Sequence, residues 1–456
     1  MVAASRVDGR AEAREWVRAS GFEETRLAER RFPTVAELDA AVTPRPLRLR
    51  HATRHASVLN SAALAIVERA LGPLGEAHAP GRARGLAVVY GLERELTDLV
   101  GPLPAAALRA ALRATSAALA RRGVGRLDEV TGANDAARAA LLAEAAASGD
   151  VVQCVRLFVG DPDEAEAARR AVEEALAARG TWSAKVTREL AACPAAGPLV
   201  EIAGVKLFAH SSDDAASPAF AAAIVRARTA GLPVAVHAVE ADVVAAVLDA
   251  LACAPPRAVA GLLAGRECDP DRIEHASLCP PELARRLAAA RVAVVTQPGF
   301  LAARGDKYLD EVEEPLWRWL YPLRTLLRSG VLVAAGSDSP VGPADPRAGL
   351  AGATLRRAAS GRVLGPYERI DEAAALALYA DAPRRLRGER AEAEARPSAW
   401  PRPGAVADVA LLDRLPSGAG WRDLEAFALV VGGERVPLAA PGGAATVGTE
   451  GAWPCA

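Results

Sequence analysis

At 456 residues, with 51% hydrophobic and 24% charged residues and a mean hydropathy of +0.11, the chain has the composition of a folded protein large enough for a barrel-sized domain plus a smaller one. Its 55 basic and 56 acidic residues leave a net charge of −1, so no field is available to hold a polyanion, and nucleic acid is excluded as an expected partner. No apolar run reaches the roughly 18 residues that would span a bilayer, and the opening MVAASRVDGRAEAREW lacks a basic stretch followed by an apolar one. A cytoplasmic protein with no membrane partner is the expectation. The cysteines, Cys154, Cys193, Cys253, Cys268, Cys279 and Cys455, form no CxxC pair and are expected to be reduced.

In chain order, Met1 to Arg122 reads as an α-rich flank. A helical stretch around Ala11 to Ser20 gives way to irregular sequence ending in FPTVAELDAAV, and SVLNSAALAIVERALG and PAAALRAALRATSAALARRG read as amphipathic helices. Only PLRLR at Pro46 to Arg50 alternates like a strand, with arginines at its outward positions.

From about residue 123 short β-rich runs alternate with helical stretches, the pattern of parallel strands covered by helices. The runs are Gly123 to Val130, VVQCVRLFV from Val151, EIAGVKLF from Glu201, PVAVHAV from Pro233, RIEHAS from Arg272, VAVVTQ from Val292 and VLVAAGSD from Val331. Helix punctuation supports them. Asp161 can cap a helix with Pro162 at its first position and Gly180 past its end, burying Ala165, Ala168, Val172 and Leu176; Ser217, Pro218 and Gly231 repeat the device. Seven such units are one short of the eight that close a TIM-type (β/α)8 barrel, and it is the first strand that has no counterpart. After a low-complexity linker at Glu389 to Pro403, two β-like runs, Val406 to Leu412 and Phe427 to Val436, suggest a small strand-rich appendage that needs other strands or the barrel to pack on. The expected divisions are 1–122, 123–388 and 389–456.

In a parallel barrel the chemistry sits where strands end. Lys206 lies in GVKLF, His237 ends AVH, His275 ends RIEH and Asp338 ends AAGSD. Imidazole and carboxylate from separate strands are the donors a zinc-like ion takes. Each residue also has a plainer use: a histidine after an apolar strand can be a hydrogen-bonded structural residue, Asp338 can cap the following helix, and Lys206 can snorkel to the surface. A lysine inside an apolar strand otherwise has to pair, be carbamylated or work as an amine nucleophile.

The stretch RIEHAS, VAVVTQPGF and YPLRTLLRSGVLVAAGSDSPVGPADP resembles the amidohydrolase superfamily, in particular its YtcJ-like (amidohydrolase 3) enzymes. The likeness extends back through VAVHAVE, GVKLF and RHATRHASVLNSAAL and forward through Glu372 to Ala382 and PGAVADVALLD. It implies that Lys206, His237, His275 and Asp338 hold one or two divalent ions, zinc first, that Lys206 is the lysine such enzymes can carbamylate, and that Asp338 is the general base on metal-bound water. His55 is implied to face the substrate, with Gln297 and Arg324 as further substrate-binding candidates. The implied activity is hydrolysis of a C–N bond in a small molecule, an amide, formamide or cyclic amide.

Members of that family begin with a small β domain and a first barrel strand ending in His-x-His. This sequence has no His-x-His, His210 stands where the family has an acidic-glycine pair after KLF, and Glu240 stands where many members have Gly-Asp. The chain is therefore expected to start after the first strand, to bind metal weakly, and to expose strand edges that favour aggregation or a homo-oligomer. His51 and His55, spaced i and i+4 in HATRH, are substitute ligands if they share a helical face. Two rival readings stay open: a catalytically silent barrel that binds a ligand or partner, and a Schiff-base enzyme using Lys206 as nucleophile.

Overall fold

The computed structural model describes residues 16–24, 27–42, 44–178, 199–257, 269–388, 408–412, 426–431, 434–436 and 438. They divide into two compact units, Met1–Ala105 with Ser339–Val341, and Ala106–Asp338 with Gly342–Ala456.

The first unit contains a four-stranded sheet, β1 (Val17–Phe22), β2 (Leu47–His51), β3 (Ala56–Leu59) and β4 (Val88–Tyr90), hydrogen-bonded in that order. β1 runs parallel to β2 and the other pairs are antiparallel. Helices Val35–Val42, Ser61–Leu71 and Glu93–Val100 accompany it. The expectation of an α-rich flank is thus corrected: helices are present at Ser61–Leu71 and Ala105–Arg121, but the residues read as a helix ending at Ser20 form β1 from Val17 onward. Their sequence, VRASGF, alternates over only four residues, Val17 and Ala19 against Arg18 and Ser20; pairing with Leu47–His51 makes it a strand. Asn60 ties sheet to helix. Its Oδ1 accepts from Ala63 N–H as the helix cap and from Leu47 N–H at 2.9 Å, while its amide donates to the Arg45 carbonyl.

The arginine expected to face outward at position 48 is buried. Arg48 donates to Glu93 Oε2 at 2.6 Å and to Ser57 Oγ at 3.1 Å; Arg50 reaches the same carboxylate oxygen at 2.8 Å, and Ser57 Oγ donates to Oε1 at 2.7 Å. A distant acid has drawn the side chain inward. Glu93→Ala is expected to cost about 2 kcal/mol by stranding Arg48, seen as a lower urea midpoint, with Glu93→Leu combined with Arg48→Met recovering most of it. A loss under about 0.5 kcal/mol for the single change would show the cluster to be idle.

His51 and His55 do not share a helical face, because the chain turns between β2 and β3, with Arg50 opposite Ser57 and Arg54 at a φ of 64°. Both nitrogens of His51 are occupied, Nε2 by Glu24 at 2.8 Å and Nδ1 by Thr53 Oγ1 at 2.7 Å. This pair is therefore no substitute for His-x-His.

The second unit is built on a parallel sheet of β5 (Arg126–Glu129), β6 (Cys154–Val159), β7 (Val200–Phe208), β8 (Val234–Ala238), β9 (Arg272–His275), β10 (Ala293–Thr296) and β11 (Val333–Ala335), each beside its sequence neighbours. All seven coincide with the runs read from the sequence, and together with their helices they form a partial TIM barrel in which β5 and β11 are the outer strands among the described residues. One face of each strand meets the helices. Val155, Leu157, Val205, Val234, Val236, Ile273, Val294 and Val333 pack there with Ala168, Val172, Ile224, Val244 and Leu287. Asp161 caps the turn Pro162–Glu164 that leads into helix Ala165–Ala177, and Ser217 caps Pro218–Thr229, as their sequence punctuation predicts; Gly180 lies outside the described residues.

The inner face carries Phe158, Ala203 and Ala235, then a charged layer. Arg156 pairs with Glu201 at 2.8 Å and with Asp269, and Arg272 pairs with Glu274 at 2.7 Å and Asp128 at 2.5 Å. Both guanidiniums approach the ring of Phe158, at 5.9 and 4.3 Å. Gly204 makes room for that ring, since a Cβ there would come within 2.4 Å of it.

Among the described residues the C-terminal strands are three rather than two. β12 (Val409–Leu412), β13 (Ala426–Val431) and β14 (Glu434–Val436) form an antiparallel sheet, because the run read as one strand folds back with Val431 opposite Glu434 across the Gly-Gly pair. The sheet packs on the barrel unit through Leu429, Val431 and Val436 against Ala120 and Cys154, and Asp408 pairs with Arg126.

Candidate functional site

Register explains which side chains meet. Lys206 lies opposite Ala235 and Ala235 opposite Arg272, so these three share the inner face; further along, Phe208 lies opposite His237 and His237 opposite Glu274. His275 lies opposite Ala238, and strict alternation would send its ring with Ile273 to the helix side. The backbone prevents it. His275 and Ala276 have φ of 80° and 43°, and the ring turns to stand edge-on to His237, with centroids 4.6 Å apart. Left-handed conformations at non-glycine residues cost about 1–2 kcal/mol each and cluster where function holds them.

His275 Nδ1 lies 2.8 Å from Gln297 Oε1, and an amide oxygen only accepts. Nδ1 therefore carries the proton, and Nε2 presents a lone pair. Burial pushes the His275 pKa down, although the charge of Asp338 pulls the other way. Gln297, predicted as a substrate contact, is buried with its amide oxygen on this histidine. Gln297→Leu is expected to mix the two His275 tautomers, visible in the imidazole ¹⁵N shifts; an unchanged Nε2 shift would mean that the amide does not set the tautomer.

Asp338 follows β11 with a φ of 49°. It stands at the solvent-exposed rim, yet surrounding protein removes enough water to raise its carboxyl above the ordinary aspartate range, against the attraction of His275 and Lys206. Lys206 is buried. Desolvation brings its ammonium down to about 8, with Arg272 adding to the effect while Glu274 and Asp338 oppose it. Its Nζ lies 5.0 Å from the centre of the Phe208 ring.

Lys206, His275 and Asp338 thus lie within electrostatic reach of one another, and His237 adjoins His275. His210 extends the row outward, its ring 5.0 Å from that of His237 and stacked on Phe208. Of the other two candidates, His55 belongs to the first unit, exposed in the turn before β3, and Arg324 is exposed with Nη1 3.5 Å from the Tyr367 carbonyl. Sequence reasoning missed Glu274, Arg272 and Asp128. The signal was present in RIEH, where Arg272 and Glu274 sit two apart on the face opposite Ile273. Burial opposes ionisation of Asp128, yet Arg272 and Arg156 beside it hold its carboxyl below the usual range.

Two imidazoles and a carboxylate are the donor types zinc takes. Among the described residues, however, no three His, Cys, Asp or Glu side chains gather closely enough to hold an ion. The described residues on their own do not fit a divalent-metal site.

Residues 2–430 match the amidohydrolase family, so the chain belongs to that family of hydrolases. It is 34% identical over 134 residues to YtcJ of Bacillus subtilis (strain 168), described as an amidohydrolase, a match covering 29% of this chain and 24% of that protein. It is 27% identical over 432 residues to the N-substituted formamide deformylase of Arthrobacter pascens, covering 88% of this chain and 74% of that one. A metal-dependent hydrolase of Pyrococcus horikoshii OT3 shares the fold with a TM-score of 0.57 at 21% identity, over 82% of this chain and 72% of its own. Its counterpart in Pyrococcus furiosus gives 0.54 at 22%, over 82% and 76%. No helix among the described residues is long and apolar enough to cross a membrane.

Proposed function

We propose that the chain hydrolyses a non-peptide C–N bond in a small molecule, an N-substituted formamide being the first substrate to try. The observation that carries this reading is the meeting of His275, its Nδ1 on Gln297 and its ring edge-on to His237, with a carboxyl at Asp338 whose basicity is raised above the ordinary. Asp338 takes a proton from the attacking water as its oxygen bonds to the carbonyl carbon, and returns it to the nitrogen as the C–N bond breaks, leaving a carboxylic acid and an amine. A carboxyl with raised pKa is the stronger base for the first of these two transfers. The long match to a formamide deformylase supports the substrate class.

Whether zinc or another divalent ion takes part belongs to the same proposal, and elemental analysis of the purified protein decides it. The test of the reaction is a panel of N-substituted formamides, acetamides and cyclic amides, with and without added zinc, following amine release. Stoichiometric formate and amine from a formamide is the expected result. No amine from any of them would overturn it in favour of the silent barrel, a reading that the lack of a three-ligand set among the described residues favours.

A further inference from the structure

Among the described residues, one of the large side chains wholly withdrawn from solvent is a charged one, Arg356. It stands one residue past helix Pro346–Leu355, at a φ of 52°. Its guanidinium donates from Nε to the Leu364 carbonyl at 2.6 Å, from Nη1 to the Tyr321 carbonyl at 2.8 Å and from Nη2 to the Leu320 carbonyl at 2.6 Å. Burial lowers its pKa to about 10 while Glu368 attracts the charge from nearby, so the cation persists at neutral pH. Burying a cation on carbonyls is costly, and apolar packing would not require it. What the rigid planar fork supplies is a fixed geometry between two separate pieces of chain.

One of those pieces lies against the exit of β9. Tyr321 N–H donates to the Ser277 carbonyl at 2.7 Å, Cys279 N–H donates to the Trp319 carbonyl at 3.1 Å, and Leu278 and Leu320 form an antiparallel bridge. From the other side, Ala276 N–H donates to the Ala238 carbonyl at 3.0 Å and Leu278 N–H to the Val239 carbonyl at 3.1 Å. The strained pair His275 and Ala276 is therefore followed at once by a segment clamped between the exit of β8 and the chain that Arg356 grips. Strained backbone persists only where its surroundings over-determine it.

We propose that Arg356 is a positioning residue for His275, gripping Leu320 and Tyr321 so that the loop after β9 keeps His275 left-handed and its ring beside His237. This role rests on the site described above, but it concerns the geometry of the ring and does not depend on which substrate is cleaved.

The test is a two-by-two comparison of Arg356→Lys and Ala276→Gly in full-length protein labelled with ¹⁵N-histidine, with His275 assigned through His275→Gln. Lysine keeps the charge but gathers its donors on one atom, without the planar fork whose three nitrogens reach three carbonyls. In Arg356→Lys the protected Nδ1–H signal of His275 is expected to exchange at least about tenfold faster, and amine release to lose kcat about 10–100-fold with little change in KM. Ala276→Gly, which adopts positive φ without strain, should restore both in the Arg356→Lys background and change little alone. A lower melting temperature with an unaltered His275 signal, or purely additive effects of the two changes, would overturn the proposal. If Arg356→Lys does not fold, native-state hydrogen exchange on the parent decides: the amides of Cys279, Tyr321 and Leu364 should open together, and independent opening overturns the clamp. Should no amide be hydrolysed, the imidazole and exchange measurements still decide the role of Arg356, separately from the failure of the hydrolase reading.

Discussion

Asp338→Asn is expected to reduce formamide hydrolysis by about 10²–10⁴-fold, the span typical of losing a positioned general base. Asparagine keeps the shape of the side chain, and at the exposed rim it should leave the melting temperature nearly unchanged. The loss should fall on kcat and on kcat/KM alike, because the proton is taken only as the transition state forms. Below its raised pKa the aspartate of the parent is protonated and cannot act as a base, so the parent's rate should fall with pH at a higher pH than an ordinary aspartate would give. The Asp338→Asn variant should lack this acidic limb. Its residual rate should be flat across that range. A variant that keeps a tenth or more of the parental rate would move the base elsewhere, with His275 Nε2 as the next group to test.

The parallel sheet was legible because strands covered on both faces read as near-continuous apolar runs, and Val234 to Val236 or Val292 to Val295 cannot be mistaken for anything solvated. The site was legible for a related reason. Lys206, His237 and His275 interrupt or end such runs, and a polar side chain there needs a use. What was not legible depended on partners far away in sequence. β1 is a strand because Val17 and Ala19 pair beside Leu47 and Leu49, and Arg48 points inward because Glu93 waits for it. The HATRH segment has helical spacing but forms a turn, since β2 and β3 bond to one another on either side of it. Nor could alternation place His275. Its ring reaches His237 only through positive φ at residues 275 and 276, which no pattern of side chains encodes.

Lys206→Met is expected to stabilise the protein at pH 7 while removing a candidate site residue, and the size of that gain should depend on pH in a way that identifies its cause. An unfolded lysine gives up its proton near 10.5, whereas burial brings the folded Lys206 to about 8. Below pH 8 the side chain is charged in both states, and the folded protein bears the net penalty of about 3 kcal/mol left after Glu274 and Asp338 have offset part of the desolvation, at ~1.4 kcal/mol for each pK unit. Between pH 8 and 10.5 the unfolded chain holds a proton that the folded one has released, so the stability of the parent rises with pH relative to the variant. Above that range the amine is neutral in both states and the advantage of methionine should vanish. Urea unfolding of both proteins at pH 7, 8.5 and 10 measures the narrowing gap. A methionine variant no more stable than the parent at pH 7 would mean that Glu274 and Asp338 fully repay the burial of the charge, and that Lys206 is a structural ion-pair partner. A gap that starts near 3 kcal/mol and closes with pH would mark Lys206 as a residue kept at the expense of stability, the condition expected of an amine that must be neutral to react.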